Sequence, residues 1–240
     1  MQQRTWPAVA VVLPGTGSDA DFADRAFRSA LTQVGVQTIA VEPDPRRVVD
    51  SYRDAMDRAA DAHGRILVGG VSIGAAVALE WAAANPDNVG AVLAALPAWT
   101  GSPEHAPAGA SATFTATQLR AHGLEAVTAE MTASSPPWLA DELTRSWRAQ
   151  WPDLPSALEE AASYHAPDLE TLAGIQAPVG IAAAVDDAVH PFTVAKEWAA
   201  TLPKAEVSEL TLDEIGVEPA VLGRACLDAL DRISRRAGDL

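Results

Sequence analysis

Short apolar runs alternate with longer amphipathic stretches along most of the chain. The runs predict strands at 8–13, 36–41, 66–69, 89–95, 179–185 and 206–212, because each is too short for an average helix. Between them lie segments with a helical period, such as 48–63, where one face carries Val49, Tyr52, Ala55, Met56 and Ala59. This alternation predicts an α/β domain with about six mostly parallel strands and helices on both faces of the sheet.

The pattern changes between residues 98 and 166, where no convincing strand occurs. This stretch favours two to four helices, at about 111–122, 124–132, 137–151 and 156–164. We therefore predict a core of residues 1–97 and 167–240, with residues 98–166 inserted as a helical cap.

Four of the seven tryptophans lie in the predicted cap, namely Trp99, Trp138, Trp147 and Trp151. They either bury the insertion's own small core or line an apolar pocket beneath a lid, and both can hold at once. We take Trp99 and Trp138 as the candidates for substrate binding.

The sequence GVSIG joins the strand at 66–69 to a strong helix-forming stretch at 75–84, with Ser72 at the bend. Gly70 and Gly74 flank the serine where a Cβ would collide with a neighbouring strand or helix in so sharp a turn. This arrangement is typical of the GxSxG nucleophile elbow. The alternative is a glycine-rich connection that matches the motif by chance.

Composition excludes several classes of partner. The 240 residues carry a formal net charge of −15, which argues against binding to nucleic acid or to an anionic membrane surface. Cys226 is the only cysteine, so no intramolecular disulfide exists, and no metal motif or cofactor is indicated. No apolar run is long enough to span a membrane. We expect a cytoplasmic protein with a small-molecule substrate or ligand, and the sequence leaves its oligomeric state open.

Three motifs in order give the chain a resemblance to the α/β-hydrolase superfamily over nearly its whole length. They are PGTGSD at 14–19, GVSIG at 70–74 and DDAVHP at 186–191. The resemblance implies an α/β-hydrolase fold in which Ser72 is the nucleophile and the N–H groups of Thr16 and Ile73 form an oxyanion hole. It also implies an acid at Asp187, with Asp186 as the alternative.

The superfamily's catalytic histidine usually follows the last strand, near 216–217 here, but the sequence has no histidine after His190. His190 stands three residues beyond Asp187 and is our candidate for the base, although it would also suit a role in bracing the turn before Pro191. The other four histidines are His63, at the wrong end of the sheet, His122, at a helix end, and His105 and His165, in loops that can face the site.

Two rival functions remain at this stage. Residues 15–20 spell GxGxxA after a strand, and Glu42 ends the next strand, as in a dinucleotide-binding fingerprint. Three nearby aspartates, Asp19, Asp21 and Asp24, count against dinucleotide binding, because they would crowd a pyrophosphate with negative charge.

The sequence favours a serine hydrolase acting on a carboxylic ester or thioester with an atypical base. The alternative is a divergent protein of the same fold that binds a small apolar ligand or runs a non-hydrolytic reaction.

Overall fold

A six-stranded sheet runs through the centre of the computed structural model, which describes residues 6–238. Its strands are β1 (Val9–Leu13), β2 (Gln37–Ala40), β3 (Ile66–Val71), β4 (Val89–Ala95), β5 (Val179–Ala184) and β6 (Ala205–Leu210). They are arranged in the order β2-β1-β3-β4-β5-β6, and each neighbouring pair is parallel. The predicted fold class is confirmed, and β3 lies between β1 and β4 in the interior of the sheet.

Helices cover both faces of this sheet. They are α1 (Ala20–Gln33), α2 (Val48–His63), α3 (Ile73–Ala84), α7 (Leu169–Gly174), α8 (Phe192–Thr201), α9 (Leu212–Val217) and α10 (Val221–Gly238). On one face Phe27 of α1 packs in a core with Cys226 and Leu230 of α10. On the other face Tyr52 of α2, Leu79 of α3 and Trp198 of α8 share a second core. None of the helices within 6–238 has both the length and the apolar character needed to cross a membrane.

Three further helices fill the stretch between β4 and β5. They are α4 (Pro107–Ser134), which breaks at Gly123 (φ 76°), α5 (Pro137–Gln150) and α6 (Leu154–Ser163). They bury a small core of their own that includes Leu119, Trp147 and Leu158. All three lie within 98–166, yet the division into core and cap stays a prediction, and its outermost residues, 1–5 and 239–240, lie outside the described part of the chain.

The turn from β3 into α3 is sharp and strained. Ser72 has φ 56° and ψ −117°, a backbone conformation that residues other than glycine rarely adopt. The turn passes very close to β1, and it fits there only because Gly70 and Gly74 have no side chain. A Cβ on Gly70 or on Gly74 would lie 2.6 Å from the carbonyl oxygen of Leu13. The structure therefore shows the close approach that the GxSxG spacing predicted, in which a Cβ at either glycine would collide with the neighbouring strand.

Replacing Gly74 by alanine tests how much this close approach matters. The added Cβ would also lie 2.7 Å from the carbonyl oxygen of Pro14, so backbone must move. We expect Gly74→Ala to lower the free energy of unfolding by about 1–3 kcal/mol, measured as a lower urea midpoint at an unchanged m-value. Gly174→Ala is the matched control, because a Cβ there meets nothing within 4 Å, and it should leave the midpoint within about 0.5 kcal/mol of wild type. Equal effects of the two substitutions would contradict this account of the elbow.

Candidate active site

Ser72 lies at the carboxyl edge of the sheet, held by the backbone on both sides. Its own N–H donates to the carbonyl oxygen of Ala95 at the end of β4 (2.9 Å), and its carbonyl accepts from Ala75 and Ala76 in the first turn of α3. The residue is only 6% exposed. Its hydroxyl is thus fixed at the centre of the sheet edge with little contact with solvent.

The loop between β5 and α8 brings two side chains to this serine. Nε2 of His190 lies 3.0 Å from Oγ of Ser72, and Nδ1 of His190 lies 2.7 Å from Oδ2 of Asp187. A carboxylate can only accept, so Nδ1 donates to Asp187, and whenever the ring is neutral Nε2 is free to accept from the Ser72 hydroxyl. The three side chains form a continuous hydrogen-bonded chain.

Asp187 is held by more than the imidazole. Its Oδ1 accepts from the N–H groups of Val189 (2.7 Å) and His190 (3.1 Å), so both carboxylate oxygens have partners. Burial alone would raise the pKa of Asp187, but the hydrogen bond and the charge of His190, with the two backbone N–H groups, outweigh burial and lower the pKa below its usual value. The acid therefore stays ionised and keeps the ring of His190 oriented.

The oxyanion loop, defined here as Gly15–Asp19, passes directly over Ser72. A Cβ on Gly15 would lie 3.5 Å from the Cβ of Ser72. The backbone N–H groups of Thr16 and Ile73 donate to no atom among the described residues. Two free donors therefore flank the serine, one on this loop and one at the first residue of α3, which is the arrangement that an oxyanion needs.

Comparison with known proteins identifies the fold. No family model and no curated protein matches the sequence, but many solved structures are similar to it. A carboxylesterase of Nitrososphaera gargenis has a TM-score of 0.74 at 16% identity, covering 97% of this chain and 92% of that one. A thermophilic esterase from Thermogutta terrifontis has a TM-score of 0.70 at 17% identity, covering 95% and 91%. An enol-lactonase from Burkholderia xenovorans LB400 has a TM-score of 0.67 at 16% identity, covering 94% and 93%. The chain has the α/β-hydrolase fold.

In this α/β-hydrolase fold, a short helix lies after the last strand, where the resemblance to the superfamily implies a catalytic histidine. There α9 begins at a capping box in which Thr211 and Glu214 bond each other's backbone, and Asp186 Oδ1 accepts from Leu212 N (2.9 Å). Trp138 of α5 packs on Gly216 so closely that a Cβ there would overlap its indole. Asp186 thus bonds to α9, and Asp187 is the acid that faces His190.

The other histidines lie apart from this cluster. His63, His105, His122 and His165 are all exposed, and within 6–238 no hydrogen bond joins any of them to Ser72, Asp187 or His190. His190 is the ring that the structure brings to the serine.

The tryptophans of the cap lie in four different environments. Trp99 is buried in the core beneath the sheet edge, donates to the carbonyl of Tyr164 (3.2 Å), and lines a cavity of about 310 Å³ together with His105 and Pro191. Trp138 contacts α9, Trp147 lies in the core of the cap, and Trp151 is 39% exposed. One of the four therefore fills the cap core, and a substrate-binding role for Trp99 and Trp138 stays a prediction.

The structure argues against the dinucleotide alternative. Asp19 Oδ1 accepts from Phe22 N (3.0 Å) and Glu42 Oε2 accepts from Ala20 N (3.0 Å), so the chain's own carboxylates occupy the start of α1, where a pyrophosphate would bind. The same region holds a cluster of three carboxylates, from Asp19, Asp21 and Glu142. Among the described residues it is the one cluster whose ligand atoms lie close enough together to share a metal ion. Arg25 and Arg145 form ion pairs with these three carboxylates, so two of the three negative charges are already offset.

The lowered pKa of Asp187 predicts a pH-dependent contribution to stability. An acid with a lower pKa in the folded state stabilises the fold above its unfolded pKa of about 3.9, and loses that contribution as the pH falls through the folded value. Asp187→Asn should therefore lower the free energy of unfolding at pH 6 and cost progressively less below about pH 4. Urea unfolding of both proteins across this range measures the difference.

A His190→Gln background is the control, since much of the lowering comes from His190. There the pH dependence of the Asp187→Asn effect should shrink. An undiminished pH dependence in that background would contradict the assignment of His190 as its source.

Proposed function

We propose that the protein is a serine hydrolase that cleaves a carboxylic ester or thioester, with Ser72 as nucleophile, His190 as base and Asp187 as acid. The observation that carries the proposal is the position of His190. Its Nε2 lies 3.0 Å from the Ser72 hydroxyl, and its Nδ1 lies 2.7 Å from the Asp187 carboxylate. A serine hydroxyl needs such an adjacent base to act as a nucleophile at neutral pH. An acid three residues before the base supplies the third member of the triad on the same loop.

The proposed reaction is acyl transfer in two halves. Oγ of Ser72 bonds to the carbonyl carbon while its proton moves to Nε2 of His190, and the carbonyl electron pair moves to oxygen. The tetrahedral intermediate collapses, the bond to the alcohol or thiol breaks, and the leaving group takes the proton from His190. Water then attacks the acyl-enzyme by the same route, which releases the carboxylic acid and restores Ser72.

The free N–H groups of Thr16 and Ile73 are the donors that we assign to the oxyanion. Negative charge appears on the former carbonyl oxygen only in the tetrahedral state, so donors fixed beforehand stabilise that state selectively. Each such donor contributes about 3 kcal/mol where this has been measured.

The named neighbours are consistent with this class of reaction, since they are an esterase, a carboxylesterase and an enol-lactonase. We extend the proposal to a small-molecule substrate met in the cytoplasm.

Labelling with a fluorophosphonate tests the proposal without knowledge of the substrate. We expect stoichiometric modification of Ser72 in the wild-type protein, located by mass mapping, because the reagent reacts with a serine that a base activates. Ser72→Ala should abolish labelling, and His190→Ala should slow it by about 10⁴-fold. His105→Ala and His165→Ala are the controls and should label at the wild-type rate.

Two outcomes would overturn this function. If folded wild-type protein stays unlabelled, Ser72 is not activated, and ligand binding or a non-hydrolytic reaction in the same fold becomes the better account. If labelling survives His190→Ala but is lost in His105→Ala or His165→Ala, a different histidine is the base.

The two neighbouring aspartates allow a second test. Asp187→Asn should lower kcat for a chromogenic ester such as p-nitrophenyl acetate by about 10⁴-fold, because the amide favours the wrong tautomer of His190. Asp186→Asn removes a carboxylate that bonds Leu212 N instead, so it should change kcat less than about tenfold. The reverse ranking in steady-state assays would make Asp186 the acid.

A further inference from the structure

The oxyanion loop has its backbone carbonyls and its acidic side chain fixed by partners from elsewhere in the chain. At Pro14, the residue just before this loop, the carbonyl accepts from the hydroxyl of the fully buried Tyr52 (3.0 Å). Within it, Ser18 N donates to Gly15 O (3.1 Å), which closes a tight turn. At its end, Phe22 N and Ala23 N of α1 donate to Asp19. The other hydrogen bonds to this loop within 6–238 come from helix α5 of the predicted cap.

Three side chains of α5 bind three consecutive residues of this loop. Ser146 Oγ donates to the carbonyl of Gly17 (2.5 Å), and Gln150 Nε2 donates to the carbonyl of Ser18 (2.9 Å). Arg145 binds both oxygens of Asp19, each at 2.9 Å. We call Arg145, Ser146 and Gln150 the α5 clamp.

Ser146 and Gln150 of the clamp lie in the interior, whereas Arg145 is exposed and binds the buried carboxylate of Asp19. Ser146 is 1% exposed, Gln150 5% and Asp19 7%, so the hydrogen bonds to the two loop carbonyls are shielded from competing water. Each of these carbonyls would be costly to leave without a donor. Gly17 also has φ 70°, and a Cβ there would lie 3.0 Å from Nε1 of Trp147, so α5 sits directly against the loop backbone.

We propose that the α5 clamp positions the oxyanion hole: by binding the carbonyls of Gly17 and Ser18 and the carboxylate of Asp19, it holds the Thr16 N–H toward the reacting oxygen at Ser72. The inference rests on the proposed function. The Thr16 N–H shares one rigid peptide plane with the Gly15 carbonyl, and that carbonyl accepts from Ser18 N. Holding the carbonyls of Gly17 and Ser18 limits φ and ψ rotation along this turn and so keeps the plane of the Thr16 N–H in place. Arg145, Ser146 and Gln150 are thus positioning residues that act through the loop, and the cap is part of the catalytic geometry as well as a cover.

A transition-state analogue separates this role from simple stabilisation of the cap. A trifluoromethyl ketone adds to a catalytic serine and places an oxyanion in the hole. We expect Ser146→Ala and Gln150→Met each to lower kcat/KM for p-nitrophenyl acetate by about tenfold and to raise the Ki of the ketone by the same factor, because both quantities depend on the Thr16 donor. The double variant should lose about 10²-fold in both.

Arg145→Gln and Arg120→Gln form a matched pair. Both arginines bind a carboxylate with two nitrogens from a cap helix, but Arg120 binds Glu159 of α6 and does not touch the loop. Arg145→Gln should raise the Ki of the ketone severalfold, whereas Arg120→Gln should leave it within about twofold. Thermal unfolding of each variant shows how much stability each has lost.

The outcomes separate the two proposals. If wild-type Ser72 takes up fluorophosphonate but the ketone Ki is unchanged in Ser146→Ala and Gln150→Met, the clamp is only packing and this inference falls alone. If Arg120→Gln raises Ki as much as Arg145→Gln does, general loosening of the cap explains the effect, and the inference also falls. If wild-type Ser72 is never labelled, the proposed function falls and takes the clamp's role with it.

Discussion

The close approach of β1 to the turn between β3 and α3 is the constraint on which the site depends. The carbonyl of Leu13 leaves no room for a side chain at Gly70 or Gly74, so the turn can be made only with glycine on both sides of Ser72. The same contact places the residues after Leu13 directly over the serine. One packing requirement therefore sets both the strained conformation of Ser72 and the course of the oxyanion loop.

A second constraint explains how one loop can carry both the acid and the base of the proposed triad. β5 lies two strands from β3, a lateral distance of about 10 Å at 4.8 Å per strand, which the loop must cross over the end of β4. Asp187 accepts from the N–H groups of Val189 and His190 and so folds the loop back on itself. This local turn directs the ring of His190 toward Ser72, so the proposed triad is complete without a base from the loop after β6.

The sequence was most informative where chemistry depends on local spacing. Periodicity predicted the strands, the helical insertion and its break near Gly123, and the two glycines around Ser72 predicted the elbow. The short helices α7 and α9 gave no periodic signal, since six residues barely complete a turn and a half. Whether His190 reaches Ser72 depends on side-chain torsions and on the fold of a four-residue turn, which no residue pattern encodes.

The clamp on the oxyanion loop belongs to a class of feature that a linear sequence hides most completely. In the sequence, Ser146 and Gln150 are ordinary polar positions on an amphipathic helix. Nothing in their spacing links them to Gly17 and Ser18, which lie 129 and 132 positions earlier in the chain. Only the packing of α5 against Gly17 brings them together. The glycine fingerprint at 15–20 was ambiguous for the same reason, because its meaning depends on what lies opposite the loop. Here a helix of the chain itself lies there, and its side chains donate to the carbonyls of Gly17 and Ser18, while the Thr16 N–H donates to no atom within residues 6–238.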